Sequence, residues 1–271
     1  MRRSKVSDTG ASTVWKRDHF IKNPILRWIV ILVGSAYLIY AINDMNFNLD
    51  RMRTGWPRAV DFFQRMFPPD YSRWTMIYKG VFESLQMAII ATTVSIFLAI
   101  PLSLAAAANI SVKFVYVIAR AFIVLARSFP PILVAIMFVK AFGFGPFPGI
   151  LTLSFTALGF MGKLLAEAIE NIDKGQVEAV RATGANWFKV QLYGVAPQVL
   201  PRYVGLSIYL LDINLRASTI IGIVGAGGIG GALFNAFHRY EYDTALAILI
   251  AIIVIVLVME FISSKVRSRL Q

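Results

Sequence analysis

Apolar runs close to the length of a bilayer recur along this chain, and nothing else limits its fold as strongly. They cover residues 25–42, 80–108, 150–169, 202–221 and 244–262, with a shorter run at 132–142. A helix needs about 20 mostly apolar residues to cross a hydrocarbon core of about 30 Å. Within lipid its backbone must satisfy its own hydrogen bonds. The reading is an all-α polytopic membrane protein with about six transmembrane helices. Only 15% of residues are charged and 57% are hydrophobic, whereas soluble domains average about 25% charged.

The formal net charge of +12 would raise nucleic acid as a partner in a soluble protein. In a membrane protein, Lys and Arg in the loops set orientation and meet anionic lipid instead. The chain has no cysteine, which excludes disulfides and thiolate chemistry. Its two histidines, His19 and His238, lie far apart without a carboxylate motif of metal-ligand type, so no metal site is predicted. No nucleophile–base constellation appears, and no catalytic residue is assigned. The basic first residues precede a long apolar run without a small-residue cleavage site, the pattern of a retained first span.

The domain reading is a tail over residues 1–24, a first span over 25–42 and an outer loop over 43–79. A core of further spans over 80–263 and a tail over 264–271 follow. Within the outer loop, Asp50, Arg51, Arg53, Arg58, Asp61 and Arg65 alternate with Trp56, Phe62, Phe63, Met66 and Phe67, as in a surface amphipathic helix. The second span contains Pro101 and Glu83, the latter expected to snorkel from its outer end. Residues 112–127 carry Lys113, Arg120 and Arg127 seven apart. They read as a cytoplasmic amphipathic helix that enters the membrane at residues 127–131 and completes a third span at 132–142. Lys163 and Glu167, and Asp212 and Arg216, stand at i,i+4 and are expected to pair.

Between the fourth and fifth spans lies a polar stretch, residues 175–202, that reads as two short helices. Glu178, Ala179, Val180, Ala182 and Thr183 lead to Gly184, a helix stop. Asn186 is placed to cap a second helix, whose Trp187, Phe188 and Val190 are expected to pack back on the spans. Pro197 and Pro201 bring the chain into the next span. With the N-terminus inside, the inner tails and loops hold about 15 Lys and Arg and the outer loops about seven, so both termini and this stretch are placed in the cytoplasm. Farther on, Gly225, Gly227 and Gly230 fit G-x-G-x-x-G. Without a preceding strand or a βαβ unit the dinucleotide reading fails. These glycines, with Gly228, are read as permitting close helix approach or a helix break near the outer face.

The polar stretch resembles the EAA loop of permease subunits in binding-protein-dependent ABC importers, which reads E-A-A, three residues, Gly, nine residues, I-x-L-P. Glu178-Ala179-Val180, Gly184 and Pro197 fall at that spacing. Val180 replaces the second Ala, Gly194 the Ile and Ala196 the Leu. The segments FPPDYSRW, PLSLAAAAN, ARSFPPILVAIMFV and NLRASTIIGIVGAGGIG resemble the phosphonate-type branch, which imports phosphonates, phosphite and related phosphorus oxyanions. The resemblance implies the type I importer permease fold in the bacterial inner membrane. It also implies two permease copies, two cytoplasmic ATPase subunits and a periplasmic or lipid-anchored binding protein. ATP and Mg would sit on the ATPase, and no G-x-x-x-x-G-K-[ST] stands in this chain. Glu178, Ala179, Arg181, Gly184 and Pro197 become the coupling residues. Ser128, Asn214, Arg216, Ser218 and Thr219 are the pathway candidates, and Gly225, Gly227, Gly228 and Gly230 an outer gate. The rival readings are a methionine-type importer permease and an ion-coupled secondary transporter; the latter needs deep coupling carboxylates, of which Asp212 alone stands out.

Overall fold

The computed structural model describes residues 23–45 and 49–270. The expectations for the tail over residues 1–22 therefore lie outside the described residues. The chain divides into two units, residues 1–60 and 61–271. In the first, α1 (Pro24–Asp44) buries none of its residues. Pro24 opens it, and the Asn23 side chain accepts the Ile25 N–H at 3.1 Å. That is an N-cap followed by a proline whose missing donor is not needed. Helix α2 (Leu49–Met66) carries the alternating charged and aromatic pattern and spans the division between the units.

The second unit is a bundle of α3 (Trp74–Ala106), α4 (Lys113–Ser128), α5 (Pro131–Phe142), α6 (Pro146–Glu170), α7 (Lys174–Ala182), α8 (Trp187–Val190), α9 (Ala196–Gly222), α10 (Ile229–His238) and α11 (Tyr242–Leu270). Among the described residues, five helices are long and apolar enough to cross a membrane, and a sixth span results if the bent pair α4–α5 counts as one. Small and medium side chains fill the centre. Met87, Leu153, Ile221 and Ala226 form one core cluster, and Ala99, Ala157, Met161 and Leu210 another.

At one end, α3 and α11 begin side by side. The Arg73 guanidinium donates to both Glu241 carboxylate oxygens at 2.6 and 2.8 Å, and the Asp70 N–H donates to the Asp243 carbonyl at 3.2 Å. Ser72, through its hydroxyl and its backbone N–H, holds the Asp70 carboxyl below its ordinary value, and the Arg73 charge adds to this.

Two expectations are corrected. Helix α4 does not lie apart from the spans before entering at Arg127. It packs along α6, with Arg120 joined to Glu170 at 2.7 Å and the ring of Phe122 edge-on to Phe155. Gly162 faces Ile123 and Gly159 faces Ala126. Small residues on both helices permit that approach. Arg120 is satisfied there by the Ala106 carbonyl at 2.8 Å as well as by Glu170. The chain then bends by 93° into α5, because Pro130 and Pro131 supply no N–H to continue the ladder.

The second correction concerns the start of the fifth span, expected at residue 202, after both prolines, whereas α9 already includes Pro197 and Pro201. The helix runs through from Trp187 to Gly222 by way of a π turn at Gln191–Val195, where the Ala196 N–H reaches the Gln191 carbonyl. The wider turn absorbs the register change ahead of Pro197.

Candidate functional site

The polar stretch folds as two short helices on the second unit. Asp173 caps α7, its Oδ1 accepting the Gly175 N–H at 2.8 Å. After Ala182 the helix stops at Gly184, whose φ of +77° is the left-handed conformation that favours glycine. The Gly184 N–H donates to the Arg181 carbonyl at 3.0 Å. Glu178, Ala179, Arg181, Ala182 and Gly184 are all exposed, and a Cβ at Gly184 would meet nothing within 4 Å. This narrow face is therefore open to a partner. The opposite face, Val177 and Val180, lies against Gly194. The departure from the family pattern at Gly194 has its account here, since the two valines occupy space that an isoleucine would take.

Asn186 caps α8 as expected, accepting the Lys189 N–H at 3.0 Å. Of the three residues expected to pack inward, only Val190 is buried. Trp187 and Phe188 are 58% and 67% exposed. In this first turn of the run from Trp187 to Gly222, Val190 faces the core while Trp187 and Phe188 lie on its exposed sides.

A residue that sequence reasoning missed holds this substructure together. Gln198, one position after Pro197, accepts the Asp173 N–H at 2.9 Å and donates to the Asp173 carbonyl at 3.3 Å and the Gly194 carbonyl at 2.7 Å. Its amide thus pairs with both peptide groups of the residue that starts α7. A second tie stands just before it. Glu170 accepts from Arg120 at 2.7 Å and from the Ala108 N–H at 2.8 Å, so the end of α6 is fastened to the middle of α4 and to the chain just after α3. The i,i+4 pattern reveals neither tie, because the partners lie 25 and 50 residues apart.

The glycine-rich segment is a turn set inside the bundle. Gly225, Gly227 and Gly228 have φ of 85°, 81° and 78°. The Gly225 carbonyl accepts the Gly145 N–H at 3.0 Å. A Cβ on Gly230 would lie 1.9 Å from the Thr219 carbonyl oxygen, so α10 crosses the end of α9 backbone to backbone. Glu83 does not snorkel: its Oε1 accepts the Gly228 N–H at 3.0 Å, and Ser84 Oγ accepts the Ile229 N–H at 2.9 Å. A carboxylate and a hydroxyl thereby satisfy the first donors of α10 and complement its dipole. Helix α10 is ten residues long, about 15 Å, so the turn lies about that far in from the Arg73–Glu241 end.

The pathway candidates are scattered. Asn214 is 1% exposed and donates to Thr92 Oγ1 at 2.9 Å. Ser218 is fully buried and bonds the Leu215 carbonyl at 2.7 Å. Thr219 is half-buried and bonds the Arg216 carbonyl at 2.7 Å, while Ser128 is exposed and bonds the Val124 carbonyl at 2.8 Å. These three hydroxyls are taken up by their own helices. Arg216 pairs with buried Asp212 as expected, and lies 3.9 Å from Glu260 on α11, an acid the sequence reading did not include. Lys163 and Glu167 pair at 3.5 Å.

These features define a class: the membrane-spanning subunit of an ABC importer. The fold is shared with a chain of the inward-facing MetNI methionine ABC transporter, with a TM-score of 0.66 and 22% identity over 74% of this chain and 99% of that one. It is also shared with a bacterial transporter that imports alginate, with a TM-score of 0.58 and 17% identity over 90% and 99%. Residues 99–271 match the family described as binding-protein-dependent transport system inner membrane component, and the chain belongs to that family. The phosphite transport system permease protein PtxC of Stutzerimonas stutzeri is 32% identical over 97% of this chain and 98% of its own length. The phosphate-import permease protein PhnE of Mycolicibacterium smegmatis is 39% identical over 89% of this chain, which spans 45% of that protein.

Proposed function

We propose that this chain is the permease subunit of an ATP-driven importer for a phosphorus oxyanion: phosphonate, phosphite, hypophosphite or phosphate. Two copies enclose the pathway, a separate binding protein delivers the cargo, and two cytoplasmic ATPase subunits carry ATP and Mg. Both termini and α7 face the cytoplasm. The observation that carries the reading is the open face of α7, with Glu178, Ala179, Arg181 and Gly184 at the family's spacing, fastened to α9 through Gln198. The relatives' names support the cargo class. When the ATPase dimer closes on ATP, α7 is pulled and the ties at Asp173 and Glu170 pass that movement to α9 and α6. The spans then exchange inward- and outward-open states as rigid bodies. The glycine turn at Gly225, Gly227, Gly228 and Gly230 serves as the gate on the far side.

The test is uptake by proteoliposomes containing the permease, its ATPase and its binding protein. Phosphite, methylphosphonate, phosphate and methionine are offered separately. Ligand-stimulated ATP hydrolysis and uptake of at least one phosphorus oxyanion are expected; uptake of methionine alone contradicts the cargo. Gly184→Asp places a carboxylate on the docking face while keeping a residue type that tolerates left-handed backbone. It should release or uncouple the ATPase, and an assembled complex with full transport refutes the dock.

A further inference from the structure

Arg216, the cation singled out from sequence for meeting an anion, is already engaged by Asp212 and approached by Glu260. Another arginine is placed differently. Arg127 ends α4 at the 93° break, and the register of α4 on α6 fixes its depth. Arg120 pairs with Glu170, the last residue of α6, whereas Ala126 and the stem of Arg127 cross Gly159. Gly159 lies eleven residues before Glu170, about 16 Å along α6. Arg127 is therefore roughly half-way along a spanning helix.

An ionised side chain at such depth is costly unless it is paired or faces a water-filled cavity. Arg127 makes no hydrogen bond or ion pair among the described residues. It does line a cavity of about 200 Å³, together with Thr156, Phe160, Ile213 and Asn214. No acid among the described residues lines that space. Pro131, the first residue of α5, lines it too, so the positive end of the α5 dipole is turned to the same place. The cavity thus combines an unneutralised guanidinium, a helix N-terminus and an amide-bearing wall.

We propose that Arg127 is the permease's contact for the oxyanion in transit, held at the α4–α5 break and reaching into this cavity. The proposal rests on the oxyanion reading above. A planar guanidinium with its fork of donors is suited to two oxygens of a phosphorus oxyanion. Gly159 leaves room for its stem, and the two prolines expose the helix end beside it.

The test uses the reconstituted complex. Arg127→Ala should lower oxyanion uptake roughly tenfold or more, the factor carried by loss of one charge-assisted hydrogen bond. Copurification of the ATPase and its stimulation by liganded binding protein should persist. Because the chain has no cysteine, Arg127→Cys allows a charge rescue with identically treated wild type as the control. A cationic aminoethyl thiosulfonate should restore much of the uptake, and the anionic sulfonatoethyl reagent should not. Equal rescue by both reagents, or wild-type uptake by Arg127→Ala, overturns the proposal. Loss of assembly in Arg127→Ala and Arg127→Lys alike also overturns it, in favour of a packing role. If the wild-type complex imports no phosphorus oxyanion, both this proposal and the cargo assignment fall; if wild type imports one and the variants do too, only Arg127 is reassigned.

Discussion

Gln198→Ala isolates the link between α7, the proposed docking helix, and α9. The substitution removes the amide that pairs with both peptide groups of Asp173 and with the Gly194 carbonyl. An intramolecular hydrogen bond contributes about 0.5–1.5 kcal/mol net. Asp173 is exposed, so water replaces part of what is lost at its two groups, and the tie as a whole is worth about 1–2 kcal/mol. That corresponds to roughly 5- to 30-fold more frequent opening of the start of α7. Amide hydrogen exchange on the purified complex should therefore accelerate by about that factor in residues 174–178 and little in α6. ATP hydrolysis should continue while transport per ATP falls. Gln198→Glu keeps an acceptor for the Asp173 N–H but sets a carboxylate against two carbonyls, so it should not rescue. Unchanged exchange in α7, or unchanged transport per ATP despite faster exchange, would show that the amide tie does not carry the movement.

Two further perturbations test other parts of the structure. Gly230→Ala puts a methyl group 1.9 Å from the Thr219 carbonyl oxygen, and backbone cannot yield as a side chain does. A loss of about 1–3 kcal/mol or more is expected from overpacking, read as a lower melting temperature in detergent. Gly205→Ala meets nothing within 4 Å and should be neutral or slightly stabilising; equal behaviour of the two variants would refute the close crossing of α9 and α10. Arg216→Ala leaves Asp212 buried without its cation; because Arg216 itself is about half exposed, the cost falls below that of a fully buried pair, at about 1–3 kcal/mol. The double variant Asp212→Ala/Arg216→Ala should recover much of that loss, and strict additivity in a thermal-stability cycle would show that the pair is not a structural unit.

Helix α7 and the cap that follows it were legible because their determinants are local. A stop glycine, a capping asparagine and the spacing of Glu178, Gly184 and Pro197 are properties of adjacent residues. The same holds for the i,i+4 pairs Lys163–Glu167 and Asp212–Arg216, whose partners share one helix face. Glu83 was misread because a carboxylate near a span end has two destinations, the interface or a backbone donor. Only the return of the glycine turn beside α3 selects the second. Trp187 and Phe188 were misread because apolar character does not tell which side of a short helix finds the core.

The sequence by itself determined that this chain is built of helices apolar enough to span a membrane, and where the polar stretch between two of them breaks into a short capped helix. The first follows from the cost of burying polar backbone in lipid, which length and hydropathy report directly. Tertiary structure decided that α4 climbs along α6, that the glycine turn packs inside the bundle, and that Arg127 has no ion pair among the described residues while Arg216 is engaged. Those outcomes depend on which helices meet and at what register. Close packing between residues distant in the chain sets that register, and hydropathy carries no record of it.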